Sequence, residues 1–80
     1  MEINNANIKL KKIYTTNGNL VYDGEVQNDL PNGNGRLFFQ GKIVEGTFKD
    51  GKLNGEIKIT DIKNKTVEYV QYKDGIPLSI

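Results

Sequence analysis

Seven of the nine glycines in this 80-residue chain directly follow asparagine or aspartate. The pairs are Asn17-Gly18, Asp23-Gly24, Asn32-Gly33, Asn34-Gly35, Asp50-Gly51, Asn54-Gly55 and Asp74-Gly75. Both members of such a pair tolerate positive φ, which the two-residue hairpin turns matching strand twist require. At this density few segments are long enough for an ordinary helix. The expectation is an all-β chain.

Between the pairs, apolar residues recur with period two, the mark of strands with one buried face. Leu20, Tyr22 and Val26 share a face around Gly24, and Val44 and Phe48 share one around Gly46. Leu37 with Phe39, Ile57 with Ile59, and Val70 with Tyr72 continue the pattern. Ile8 and Leu10 open an earlier strand, in which Lys11-Lys12-Ile13-Tyr14 breaks the alternation and implies a bulge. Six strands follow, near 7–15, 20–27, 35–40, 42–49, 55–61 and 66–73. Short connections between them predict an antiparallel meander. Apolar residues are only 36% of the chain, which suits a single-layer sheet with alternate residues buried.

A period of 22 residues relates two segments, with Gly24 aligned on Gly46 and Gly33 on Gly55. Tyr22-Asp23-Gly24-Glu25-Val26 is matched by Val44-Glu45-Gly46-Thr47-Phe48, and Asp29 takes the place of Gly51. A degenerate third copy begins at Glu68-Tyr69-Val70-Gln71-Tyr72-Lys73-Asp74-Gly75. The order aromatic-x-Gly-x-aromatic, turn, then Asn-Gly-x-Gly resembles the MORN repeat. Val26 and Val44 stand where that family has aromatics, Ile57 where it has its last glycine, and Val70 where it has its first. The run Gly51-Lys52-Leu53-Asn54-Gly55 is also similar to hairpin repeats of a related bacterial class. The resemblance implies a single-layer array of β-hairpins used for protein contacts and for lipid headgroups. It divides one domain into a cap strand at 1–19, repeats at 20–41 and 42–65, and a truncated repeat at 66–80.

The glycines have structural readings in such an array. Gly24 and Gly46, each between inward apolar residues, leave room for a neighbour's ring. Gly33, Gly35, Gly51, Gly55 and Gly75 supply turn or bulge geometry. Gly33-x-Gly35 precedes no helix, so the phosphate-cradling mechanism has no support.

Composition excludes several chemistries. With no cysteine and no histidine, disulfides, thiol catalysis, Cys-ligated zinc and imidazole general bases are absent. Eleven basic residues against ten acidic ones give no electrostatic case for nucleic acid. The Asn28–Asn34 segment carries one carboxylate and no closing glutamate, so it reads as a tight turn rather than a calcium loop. Carboxylates are scattered among turns and lysines, so the expectation is no enzyme, no cofactor and no metal. The polar opening residues 1–7 lack an apolar signal core, and with the initial Met they suggest a free-standing cytoplasmic adaptor.

The candidate partner-binding residues are Tyr22, Phe39, Phe48, Tyr69 and Tyr72, of which Tyr22, Phe39, Phe48 and Tyr72 read as an aromatic stripe on one face of a sheet that cannot cover both its faces. Phe38, Ile43 and Tyr69 fall on the opposite parity, which places apolar side chains on the second face as well. The strand 66–73 is the better edge for adding a strand or a second copy, because Lys9, Lys11 and Lys12 guard the first. The leading reading is a protein-protein interaction module, an adaptor or inhibitor. The alternatives are anionic-lipid binding through lysines and aromatics, a phage or mobile-element inhibitor of a host enzyme, and a self-assembling homo-oligomer.

Overall fold

The computed structural model describes residues 8–78. The polar residues 1–7, the side chain of Ile8 and the last two residues lie outside what is described. Eight strands occur among the described residues: β1 (Ile8–Tyr14), β2 (Leu20–Gln27), β3 (Leu30–Phe39), β4 (Lys42–Lys49), β5 (Lys52–Leu53), β6 (Gly55–Asp61), β7 (Thr66–Lys73) and β8 (Ile76–Pro77). They form one antiparallel sheet in the order β1-β2-β3-β4-β6-β7-β8, with β5 pairing β4. This is the expected all-β meander, in a single layer measuring 45 × 37 × 18 Å. The expected break in the first strand is a register shift between Ile13 and Tyr14.

Three details differ from the sequence reading. Asn28–Asn34 is not one turn: only Asn28 and Asp29 turn, and β3 is already paired at Leu30 and Pro31. Two short return strands, β5 and β8, raise the strand number above six. The hairpin turns also sit elsewhere. Positive φ at both central residues occurs at Asn28-Asp29 (54° and 65°), Gln40-Gly41 (49° and 78°), Asp50-Gly51 (50° and 85°) and Asp74-Gly75 (50° and 82°). That is the geometry whose twist matches the flanking strands. Asp23-Gly24, Asn32-Gly33 and Asn34-Gly35 lie inside strands instead.

The 22-residue period appears as a repeated hydrogen bond between repeats. Gly51 N–H donates to the Pro31 carbonyl at 2.9 Å, and Gly75 N–H donates to the Leu53 carbonyl at 2.9 Å. Each turn thereby docks on the strand that follows the turn before it.

Paired residues in antiparallel strands point to the same face. One face carries the row Ile13, Tyr22, Leu37, Val44, Ile59 and, at the far edge, Glu68. Beside it, Gly24 pairs Gly35 and Gly35 pairs Gly46, a lane without side chains across three strands. The Tyr22 ring lies over Gly35, whose added Cβ would come within 2.6 Å of the ring. Ile57 fills the same role over Gly46. The expected opening for a ring at Gly24 and Gly46 is thus shared with Gly35, which also borders the register shift between β2 and β3. Tyr22, Val26, Val44, Phe48 and Ile57 are the buried core.

Candidate functional site

The structure divides the five candidate aromatics. Tyr22 and Phe48 are buried, with ring centroids 5.3 Å apart and planes at 87°, an edge-to-face pair. Ile13, Leu37 and Leu53 pack against them. Both rings are therefore committed to the core and are not offered to a partner. Phe39 shares their face but sits at the β3–β4 hairpin end and is 57% exposed. Tyr72 is half-buried, and Tyr69 is 61% exposed on the opposite face. The expected stripe of Tyr22, Phe39, Phe48 and Tyr72 is thus split between core and exposed positions.

Tyr22 also carries the core's polar anchor. Its O–H donates to the Glu25 carbonyl at 2.7 Å. Burial pushes its pKa above the ordinary phenol value, and the charges of Glu25 and Asp23 push the same way. A group whose folded pKa is raised contributes stability that is fully present below its unfolded pKa and lost as pH rises through the folded one. In an alkaline titration, Tyr22 should ionise above the free phenol and together with loss of the sheet's circular dichroism. Removing the hydroxyl alone, Tyr22→Phe, should cost about 0.5–1.5 kcal/mol in denaturant melts.

The β6–β7 connection is held by Asp61, whose carboxylate accepts the Asn64 N–H at 3.0 Å and the Asn64 Nδ2 at 3.1 Å. The backbone bond from Asn64 is the main reason its pKa is lowered. This is a turn clamp. Among the described residues no group of three or more metal-binding side chains occurs. The hollow beside β1 and β2, ≈ 480 Å³, is lined by Lys9, Leu10, Lys11, Val26, Asn28 and Asp29. Asp29 lies 3.9 Å from Lys11, so its one carboxylate is tied to a surface pair. No helix is long and apolar enough to cross a membrane among the described residues.

The C-terminal edge is where the sheet stays open. Leu78 N–H donates to the Gln71 carbonyl at 2.8 Å, so Gln71 directs its main-chain groups toward β8. Main-chain direction alternates along a strand, and Val67 and Tyr69 therefore turn their N–H and C=O the same way. Among the described residues β8 pairs Tyr72 and Lys73, and none is paired with Val67 or Tyr69 on that side. Val67, Tyr69, Ile76 and Leu78 are 51%, 61%, 65% and 56% exposed. The sequence reading found this edge in strand 66–73 but missed β8, a two-residue strand below the length that periodicity detects.

A one-layer sheet of hairpins, each turn docked on the last, defines a hairpin-repeat protein. The family model for the MORN repeat matches residues 22–42 and 45–56. These matches fall on the two segments related by 22 residues, which are similar to the MORN repeat. The MORN repeat is a non-enzymatic repeat that commonly serves as a protein-binding or membrane-binding module. Neither a curated protein nor a solved structure matches the chain.

Proposed function

We propose that the chain is a non-enzymatic protein-interaction module that takes a partner's extended segment along the open edge of β7. The main-chain groups of Val67 and Tyr69, which have no partner on that side among the described residues, carry this reading. Main-chain pairing would supply the affinity. The exposed Val67 and Tyr69 side chains, and Ile76 and Leu78 beyond them, would supply the apolar contact. Glu68 faces the core side of the same edge and favours a partner with a basic residue opposite it. Phe39 and Tyr72 lie on that core face and would take part only with a partner that wraps around the edge. Occupying the edge would let the chain act as an adaptor or as an inhibitor of a larger protein.

Proline separates the edge from the fold. Among the described residues the Tyr69 N–H serves no bond within the sheet, so Tyr69→Pro should leave the chain folded, as edge prolines do. The Val70 N–H faces β6, so Val70→Pro should unfold the C-terminal strands. A photo-crosslinking residue at Val67, used in the producing cell, should join the chain to another protein, and Tyr69→Pro should abolish the adduct. No adduct with any polypeptide, or one undiminished by the proline, contradicts the proposal.

A further inference from the structure

The face turned away from the core carries a row whose charges alternate from strand to strand. Lys12 pairs Asp23, Asp23 pairs Arg36, Arg36 pairs Glu45, Glu45 pairs Lys58, and Lys58 pairs Tyr69. The next row along the strands is mostly apolar: Phe38 pairs Ile43, Ile43 pairs Thr60, and Thr60 pairs Val67. Arg36 joins the two rows. Its Nη2 lies 3.2 Å from Asp23 Oδ2, and its guanidinium lies 5.8 Å from the Phe38 ring centroid. Even so, the Arg36 side chain is 49% exposed.

A row that alternates in this way is complementary to its own reversal. A two-fold axis parallel to the strands, placed between β3 and β4, keeps every residue at its level and exchanges β3 with β4, β2 with β6, and β1 with β7. Arg36 then faces the second copy's Glu45, and Asp23 faces its Lys58. Lys12 faces the Tyr69 ring, a favourable cation–π arrangement. In the adjoining row Phe38 faces Ile43. An axis through β3 itself would oppose Arg36 to Arg36 and Asp23 to Glu45, so the charges select the register.

We propose that this face is a homodimer interface, in which two copies stack as a two-layer sandwich about that axis. The interface goes beyond the edge proposed above: it uses side chains of the outer face, sharing Val67 and Tyr69 with that edge but none of its main-chain groups. Six strands about 4.8 Å apart and seven residues of about 3.3 Å each cover on the order of 650 Å² per copy. The resulting total, about 1,300 Å², falls within the range of stable complexes, about 1,200–2,000 Å². Stacked twisted sheets lie about 30° apart, so the pairs beside the axis, Arg36 with Glu45 and Phe38 with Ile43, close best. One like-charge pair opposes them, Glu25 against Glu56. Its cost is reduced because the Glu25 carboxylate already accepts the Asn34 N–H at 2.6 Å.

The test is a charge exchange read by light scattering across a concentration series, with circular dichroism to monitor folding. Wild-type chain should form dimers. Arg36→Glu places carboxylates against each other across the axis, and Glu45→Arg places cations there. Each variant should weaken dimerisation at least about tenfold, the equivalent of about 1.4 kcal/mol. An equimolar mixture of the two should recover the dimer, because every altered residue then meets its opposite on the other chain. Lys58→Glu mixed with Asp23→Lys gives the same test if the first pair does not fold. A wild-type chain that stays monomeric at every concentration overturns the proposal. So does a dimer that the single variants leave unchanged, or one that mixing fails to restore.

Discussion

Gly24→Ala is expected to destabilise the fold by about 3 kcal/mol or more, near the upper end of overpacking costs. The added Cβ would lie 2.6 Å from the Asn34 carbonyl oxygen and against the Gly35 Cα, and would approach the Tyr22 hydroxyl at 2.9 Å. Two of those three neighbours are main chain in a paired strand, and neither of these can yield without parting β2 from β3. An 80-residue domain has a total stability of only about 4–12 kcal/mol. Denaturant melts should therefore show the midpoint moved to much lower denaturant, with about 1–9 kcal/mol of stability left. Gly55→Ala is the contrast. Nothing lies within 4 Å of its added Cβ, and only its φ of +93° opposes a side chain. That left-handed strain costs about 1–2 kcal/mol.

Phe48→Ala should cost about 3–5 kcal/mol, the usual loss for an aromatic removed from a core. The ring is 3% exposed, stacks edge-to-face on Tyr22 and forms a cluster with Val26. Its loss opens a void in the buried cluster that spans both repeats. Phe39→Ala, at a residue 57% exposed on the same face, should change stability by less than about 0.5 kcal/mol. A double-mutant cycle between Tyr22 and Phe48 should return a coupling of about 0.5–1.5 kcal/mol. Equal effects at Phe48 and Phe39 would contradict this placement of the core.

The contrast between those two phenylalanines marks what the sequence makes legible. Parity assigned Leu37, Phe39, Val44 and Phe48 to one face, and the register agrees. Burial does not follow from parity. Phe48 lies at the middle of the sheet with strands on both sides, whereas Phe39 closes a hairpin at its end. Tyr69 stands on the edge strand and the other face for reasons equally remote from its own neighbours in sequence.

The glycine pairs carry the same lesson. Asp50-Gly51 and Asp74-Gly75 turn the chain as the dipeptide suggests. Asp23-Gly24 and Asn34-Gly35 have the same chemistry but lie in strands, where the absence of a Cβ lets the Tyr22 ring lie flat. Which use a pair serves depends on the strand beside it, and a dipeptide cannot report that. Gln40-Gly41 and Asn28-Asp29 turn without the expected signature, because the flanking strands demand left-handed φ at both positions. The alternating charges of Lys12, Asp23, Arg36, Glu45 and Lys58 were present in the sequence as scattered residues. They become a row only when the turn lengths fix the register.

Amide hydrogen exchange on the free chain tests most directly whether this repeat sheet keeps an open edge for a partner. Along β7, Glu68 and Val70 turn their N–H groups to β6, while Val67 and Tyr69 turn theirs away from the sheet. Slow exchange at Glu68 and Val70, alternating with fast exchange at Val67 and Tyr69, is the predicted result. Uniform protection at all four amides would mean that the edge is already covered, and would contradict the account.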